Sequence, residues 1–82
     1  MNRIQILLFA TLRDTLGTRR LQLDLPAEAT VAGLKDLLVA TYPQLSPSRN
    51  SIMVAVNQEY AGDDSPIPSG AEIALFPPVS GG

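Results

Sequence analysis

Two glycines, Gly81 and Gly82, close the sequence behind the segment Phe76-Pro77-Pro78-Val79-Ser80. With Gly82 as the last residue, the expected reactive group is its terminal carboxylate, carried on two residues that have no side chains. A glycine pair lacks Cβ atoms and can thread a slot too narrow for any other dipeptide. Pro77 and Pro78 act in the opposite sense: each fixes its own φ, and Pro78 drives Pro77 towards an extended conformation. Residues 76–82 therefore read as a stiff stem with a slim tip, and an extended stretch of that length reaches roughly 23–25 Å. The alternative without chemistry is a frayed chain end or a glycine-rich scar.

No other residue type in the chain competes with that carboxylate. There is no Cys and no His, which excludes disulfides, thiolate nucleophiles, zinc sites of the usual kind and a Ser-His-Asp triad. Ser80 and the other hydroxyls have no base within the chain. A free carboxylate is a poor acyl donor at neutral pH, so covalent chemistry at Gly82 requires activation from outside. Asp63-Asp64 sits among Gly62, Ser65 and Pro66, which is turn chemistry, and two carboxylates fall short of a calcium cage. No metal is expected. Arg13, Arg19, Arg20, Lys35 and Arg49 are expected as solvated charges, with an acidic partner as their functional alternative. The net charge is −2 and only Arg19 and Arg20 are adjacent among the basic residues, so neither nucleic acid nor a membrane is an expected partner. Met1-Asn2-Arg3 followed by Ile4 to Ala10 superficially resembles a signal peptide, yet Gln5 interrupts it and Arg13 and Asp14 follow. With no apolar run near the length of a membrane span, the expected location is the cytoplasm.

The elements that must carry the tail follow from periodicity. Ile4, Ile6 and Leu8 alternate with Arg3, Gln5 and Leu7, and Phe9 brings apolar character to the second face, which predicts a central strand. Leu12 and Leu16 lie one helical turn apart before Gly17, a left-handed stop, so a short helix is expected there. Leu21, Leu23 and Leu25 alternate with Gln22 and Asp24 in a second strand that Pro26 ends. Thr30 is the expected N-cap of the main helix, with Val31, Leu34, Leu37, Leu38 and Thr41 or Tyr42 on its apolar face and Lys35 and Asp36 pointing elsewhere. Gly33 inside it costs about 1 kcal/mol relative to Ala, and Tyr42-Pro43 stops it. Residues 44–51 read as a polar loop without period. Ile52, Val54 and Val56 predict a third strand, Tyr60 a short edge strand, and Ile73 with Leu75 a last strand running straight into the tail. One long helix on one face of a mixed four- or five-stranded sheet is the α+β layer solution. The expected division is a domain over residues 1–75 and an extended tail over 76–82.

The sequence resembles the family of small, sulfur-carrier subunits of molybdopterin synthase. The residues that carry the likeness are Leu7-Leu8-Phe9-Ala10-Thr11-Leu12-Arg13-Asp14, Val54-Ala55-Val56-Asn57, Ser69-Gly70-Ala71-Glu72-Ile73-Ala74-Leu75-Phe76 and the closing Pro77-Pro78-Val79-Ser80-Gly81-Gly82. It spans the whole chain; the strand matches are weakly specific and the Phe-Pro-Pro-Val-Ser-Gly-Gly end strongly so. Gly33 and the Ser-rich stretch 46–51 depart from the family and touch neither tail nor core strands.

The resemblance implies a ubiquitin-like β-grasp fold, first and last strands in the sheet centre, and a sulfur-carrier function. An adenylating enzyme related to ubiquitin-activating enzymes uses ATP to convert the terminal Gly82 carboxylate into an acyl-adenylate. Sulfur from a desulfurase or rhodanese then gives a thiocarboxylate. The tail inserts into the large subunit, and two such tails supply the dithiolene sulfurs of molybdopterin to cyclic pyranopterin monophosphate, within a heterotetramer of two small and two large subunits. The small subunit donates sulfur and carries no catalytic side chains of its own. Gly82 is then the attachment residue, Gly81 the clearance residue, and Leu75, Phe76, Pro77, Pro78 and Val79 the partner-binding residues, with Phe76 equally able to cap the core. Competing expectations are another Gly-Gly carrier serving thiamine or tRNA thiolation, a ubiquitin-like protein modifier, and a passive interaction module.

Overall fold

The computed structural model describes residues 2–77. They form β1 (Asn2–Leu8), α1 (Ala10–Leu16), β2 (Arg20–Leu25), α2 (Val31–Thr41), a 3-10 helix (Pro43–Ser48), β3 (Met53–Val56), β4 (Glu59–Ala61) and β5 (Glu72–Phe76). The five strands make one sheet in the order β2-β1-β5-β3-β4. β1 and β5 pair in parallel, with Ile6 opposite Ile73, and every other neighbouring pair is antiparallel. The first and last strands thus lie side by side inside the sheet, and the α+β expectation holds.

Strand alternation sends Ile4, Ile6 and Leu8 of β1, Val54 of β3, and Ile73 and Leu75 of β5 to one face, where they meet Val31, Leu34 and Leu38 of α2. Each fully buried Leu or Ile contributes about 1.5–3 kcal/mol of burial free energy. α1 ends as its sequence dictates: Gly17 holds φ of 70° and donates its N–H to the Arg13 carbonyl at 2.9 Å. β3 turns into β4 through Asn57 and Gln58, both at positive φ, which is the geometry of a tight hairpin.

The start of α2 is capped more completely than Thr30 alone provides. Thr30 Oγ1 accepts from the Gly33 N–H at 3.3 Å. The Val31 and Ala32 N–H groups donate to the carbonyls of Ser65 and Asp63, each at 3.0 Å, and the Leu34 N–H donates to the Thr30 carbonyl. All the free donors of the first turn are therefore satisfied, two of them by a loop more than thirty residues away in sequence.

Two expectations are corrected. Lys35 does not point away from the core: its side chain is 8% exposed, and its Nζ donates to Asp63 Oδ1 at 2.9 Å. Asp63 thus holds α2 through both its backbone and its carboxylate, beyond a simple turn role. The second correction concerns residues 44–51. Pro43 opens a 3-10 helix, Leu45 is buried at 2% exposure, and the Leu45 N–H donates to the Tyr42 carbonyl at 2.9 Å. The stretch is a packed element of the core layer.

Candidate functional site: the open sheet face at the root of the tail

β5 delivers the tail. Its last residue, Phe76, pairs with Met53 of β3, so the sheet continues past residue 75 before Pro77. Because side chains alternate, Phe76 points to the face opposite Leu75. Leu75 is fully buried in the core, so it supports the strand from within and is corrected as a direct partner contact.

Phe76 lies on the open face. Its ring stacks on Phe9 with centroids 4.7 Å apart and planes 9° from parallel, and Tyr60 meets it edge-on at 5.9 Å. Both geometries suit the aromatic quadrupole. Phe9 arrives there because it follows β1 in extended backbone, with its N–H donating to the Leu75 carbonyl at 3.2 Å. Ala10 then turns the chain with φ of 53°. Leu7, Ala55 and Ala74 complete a shallow cavity of about 330 Å³ together with these rings. Phe9 and Tyr60 remain 40% and 68% exposed. The three rings thus make an exposed aromatic patch, the kind of surface that is a candidate for protein contact.

Arg13 and the adjacent pair Arg19 and Arg20 line one hollow with Leu7 and Phe9, so a positive margin adjoins the aromatic patch. Leu7, Phe9 and Tyr60 were not among the expected contact residues. Their signal is in the sequence, since Leu7 and Phe9 make the second face of β1 apolar, a pattern that a strand buried on both sides shares. β1 is indeed flanked by strands on both edges, whereas among the described residues no helix covers that second face.

Pro77 follows the strand directly. Pro78, Val79, Gly81 and Gly82 lie outside the described residues. Among the described residues no group of three or more acidic side chains is placed to hold a metal ion, and no helix is long and apolar enough to cross a membrane.

A mixed sheet with parallel first and last strands at its centre and one main helix across a single face defines a ubiquitin-like β-grasp protein. Solved structures share it: small archaeal modifier protein 1 from Haloferax volcanii superposes with a TM-score of 0.84 at 36% identity, covering 99% of this chain and 100% of that one. A ubiquitin from Caldiarchaeum subterraneum gives 0.69 at 17% identity, covering 99% and 98%. The chain belongs to the ThiS family, which it matches over residues 6–82. Among its relatives, the molybdopterin synthase sulfur carrier subunit of Dictyostelium discoideum is 43% identical, over 99% of this chain and 98% of that one. The Arabidopsis thaliana protein of the same name is 37% identical over 96% and 82%. Small archaeal modifier protein 1 of Haloferax volcanii is 39% identical over 92% and 95%. The fold also matches, with a TM-score of 0.67 at 18% identity over 98% and 99%, a chain in the complex of subunits 1 and 2 of the Helicobacter pylori molybdopterin-converting factor.

Proposed function

We propose that this chain is the sulfur-carrier subunit of a molybdopterin synthase, holding transferable sulfur as a thiocarboxylate on Gly82. The observation that carries the proposal is the full-length likeness to the Dictyostelium carrier. It is supported by a fold in which β5 leaves the sheet centre beside an exposed aromatic face.

The chemistry has two stages. In an adenylating enzyme, a Gly82 carboxylate oxygen attacks the α-phosphorus of ATP, pyrophosphate leaves, and an acyl-adenylate forms. A persulfide on a desulfurase or rhodanese then attacks the acyl carbon and expels AMP, and a thiol reductant cleaves the resulting acyl disulfide, leaving the thiocarboxylate. Activation is necessary because this chain has no nucleophile–base pair that could make the carboxylate reactive. In the large subunit, the thiocarboxylate sulfur attacks a side-chain carbon of cyclic pyranopterin monophosphate and displaces that carbon's oxygen substituent, and water then cleaves the acyl–sulfur bond to restore the carboxylate. Two tails supply the two dithiolene sulfurs, consistent with a heterotetramer. The catalytic side chains belong to the large subunit and the setting is the cytoplasm.

In this account the open face docks and the tail reacts. Phe9, Tyr60 and Phe76 form the apolar centre of the contact with the large subunit, and Pro77, Pro78 and Val79 are further contact residues in sequence between that centre and Gly82. Gly81 gives the clearance that lets Gly82 enter a narrow slot. Reconstitution tests the proposal: the thiocarboxylated chain and a large subunit are expected to convert the pterin precursor to molybdopterin, consuming two carriers per product. Failure of a charged carrier to deliver sulfur to a competent large subunit contradicts it.

A second function is favoured by the likeness to small archaeal modifier protein 1. As a protein modifier, the activated Gly82 acyl group would pass to a lysine Nζ and form an isopeptide. Lysines bearing a Gly-Gly remnant in the native host, with no molybdopterin formed, would establish that function instead.

A further inference from the structure

A second cavity among the described residues lies away from the aromatic face. It occupies about 670 Å³ where the end of β2 meets the first half of α2. Leu25, Pro26, Ala29 and Leu37 supply apolar walls, and the charged residues that line it, Asp24, Glu28 and Asp36, are all carboxylates. Asp24 is paired with Arg3 and Asp36 with Arg49, while Glu28 makes no ion pair among the described residues.

Gly33 also lines this cavity, and its own backbone gives no reason for a glycine. It lies inside α2 without a positive φ, and a Cβ there would meet only Thr30 Oγ1, at 3.8 Å. Glycine in a helix interior costs about 1 kcal/mol relative to Ala. What its missing side chain provides is an open cavity wall.

The adjoining strand is an edge with usable hydrogen-bonding groups. The Leu8 N–H donates to the Arg19 carbonyl at 2.8 Å, and the β1–β2 register continues from there through Ile6–Leu21 and Ile4–Leu23. Alternation then turns the N–H and C=O groups of Leu21 and Leu23 towards β1, and those of Arg20, Gln22 and Asp24 towards the free edge. Thr18 Oγ1 occupies the Arg20 groups, donating to its carbonyl at 2.9 Å and accepting from its N–H at 3.5 Å. The backbone groups of Gln22 and Asp24 are left open along that edge, and Asp24 lines the cavity. Leu21 and Leu23, on the helix side, are only half-buried.

We propose that the groove between β2 and α2 receives an extended apolar segment flanked by lysine or arginine, donated by a partner protein and added to the sheet as a further strand beside β2. Backbone pairing with Gln22 and Asp24 sets its register, and alternate side chains of the segment fall into the cavity over Gly33 and Leu37. Glu28, the margin carboxylate without an ion pair among the described residues, selects a basic flank. An anionic occupant is disfavoured, because the first-turn N–H groups of α2 are already bonded. This surface is separate from the aromatic face and independent of the proposed sulfur chemistry.

The test pans a displayed library of random dodecapeptides against the full chain. The expected result is enrichment of β-branched or aromatic cores with Lys or Arg flanks, whose synthetic peptides shift the amide resonances of Gln22, Asp24 and Gly33. Gly33→Leu fills the cavity on a better helix-forming residue, and it is expected to weaken those peptides at least about tenfold. Gly33→Ala, which leaves most of the cavity open, is expected to retain them. Four results overturn the proposal: no enrichment relative to Gly33→Leu, enriched peptides with acidic flanks, peptides that shift the Phe9 and Tyr60 amides instead, or concentration-dependent self-association abolished by Gly33→Leu.

Discussion

Phe9 and Phe76 stack face to face 4.7 Å apart, tying the exit of the first strand to the exit of the last. Both residues leave the sheet at the same end because β1 and β5 run in parallel. The stack is therefore a fixed aromatic platform at the point where the tail departs, with Tyr60 as its third ring. If it is the centre of the partner contact, Phe76→Ala should weaken binding of the large subunit by about 2 kcal/mol or more, roughly thirtyfold. The melting temperature should change less than for a core truncation, since Phe76 is only partly buried. Titration calorimetry together with thermal unfolding separates the two roles, and a large loss of stability with unchanged affinity would assign Phe76 to the domain instead.

Gly81→Val tests the tail by itself. The variant should fold with an unaltered melting curve, because the substitution lies beyond β5, and should fail in adenylation or sulfur delivery. Full activity of Gly81→Val would remove the argument for a narrow slot.

The Lys35–Asp63 pair predicts a pH dependence. The hydrogen bond from Lys35, and then its charge, hold the Asp63 carboxyl below its ordinary value of 3.8. A carboxylate with a lowered folded pKa stabilises the fold above the unfolded value, and this contribution is lost as pH falls through the folded one. Asp63→Asn should therefore lower the melting temperature at neutral pH by leaving the Lys35 ammonium without its carboxylate, and the gap from the parent should narrow below pH 3.8. Replacing both residues, as Lys35→Met with Asp63→Asn, should recover part of the loss. Thermal scans between neutral and acidic pH measure this, and a gap constant with pH would contradict the assignment.

Leu45→Ala tests the packed 3-10 helix. A leucine buried to 2% exposure should cost about 2–5 kcal/mol on truncation, readable as a shift in the urea midpoint. A surface loop residue would cost a few tenths.

The alternation of Ile4, Ile6 and Leu8, the cap at Thr30 and the stop at Gly17 are local signals, and the folded chain uses them as written. Leu45 was hidden because one leucine between Gln44 and Ser46 carries no period, and its burial comes from the chain folding back under α2. Lys35 was partly legible: it lies four residues after Val31 and three before Leu38, on the inner stripe of the helix. Its charge argued against burial, and the partner that makes burial tolerable lies 28 residues further along. The aromatic platform depends on strand order, because Phe9, Tyr60 and Phe76 meet only once β5 is inserted between β1 and β3. Gly33 was visible as an anomaly in a helix, but only the cavity beside it gives that anomaly a use.

The central claim is that Gly82 carries sulfur, and the intact mass of the chain tests it most directly. After incubation with ATP, a sulfide source and the activating enzyme, the expected result is a gain equal to one oxygen replaced by sulfur, absent when Gly82 is deleted. An unchanged mass, with an enzyme shown to be active on another carrier, would contradict it.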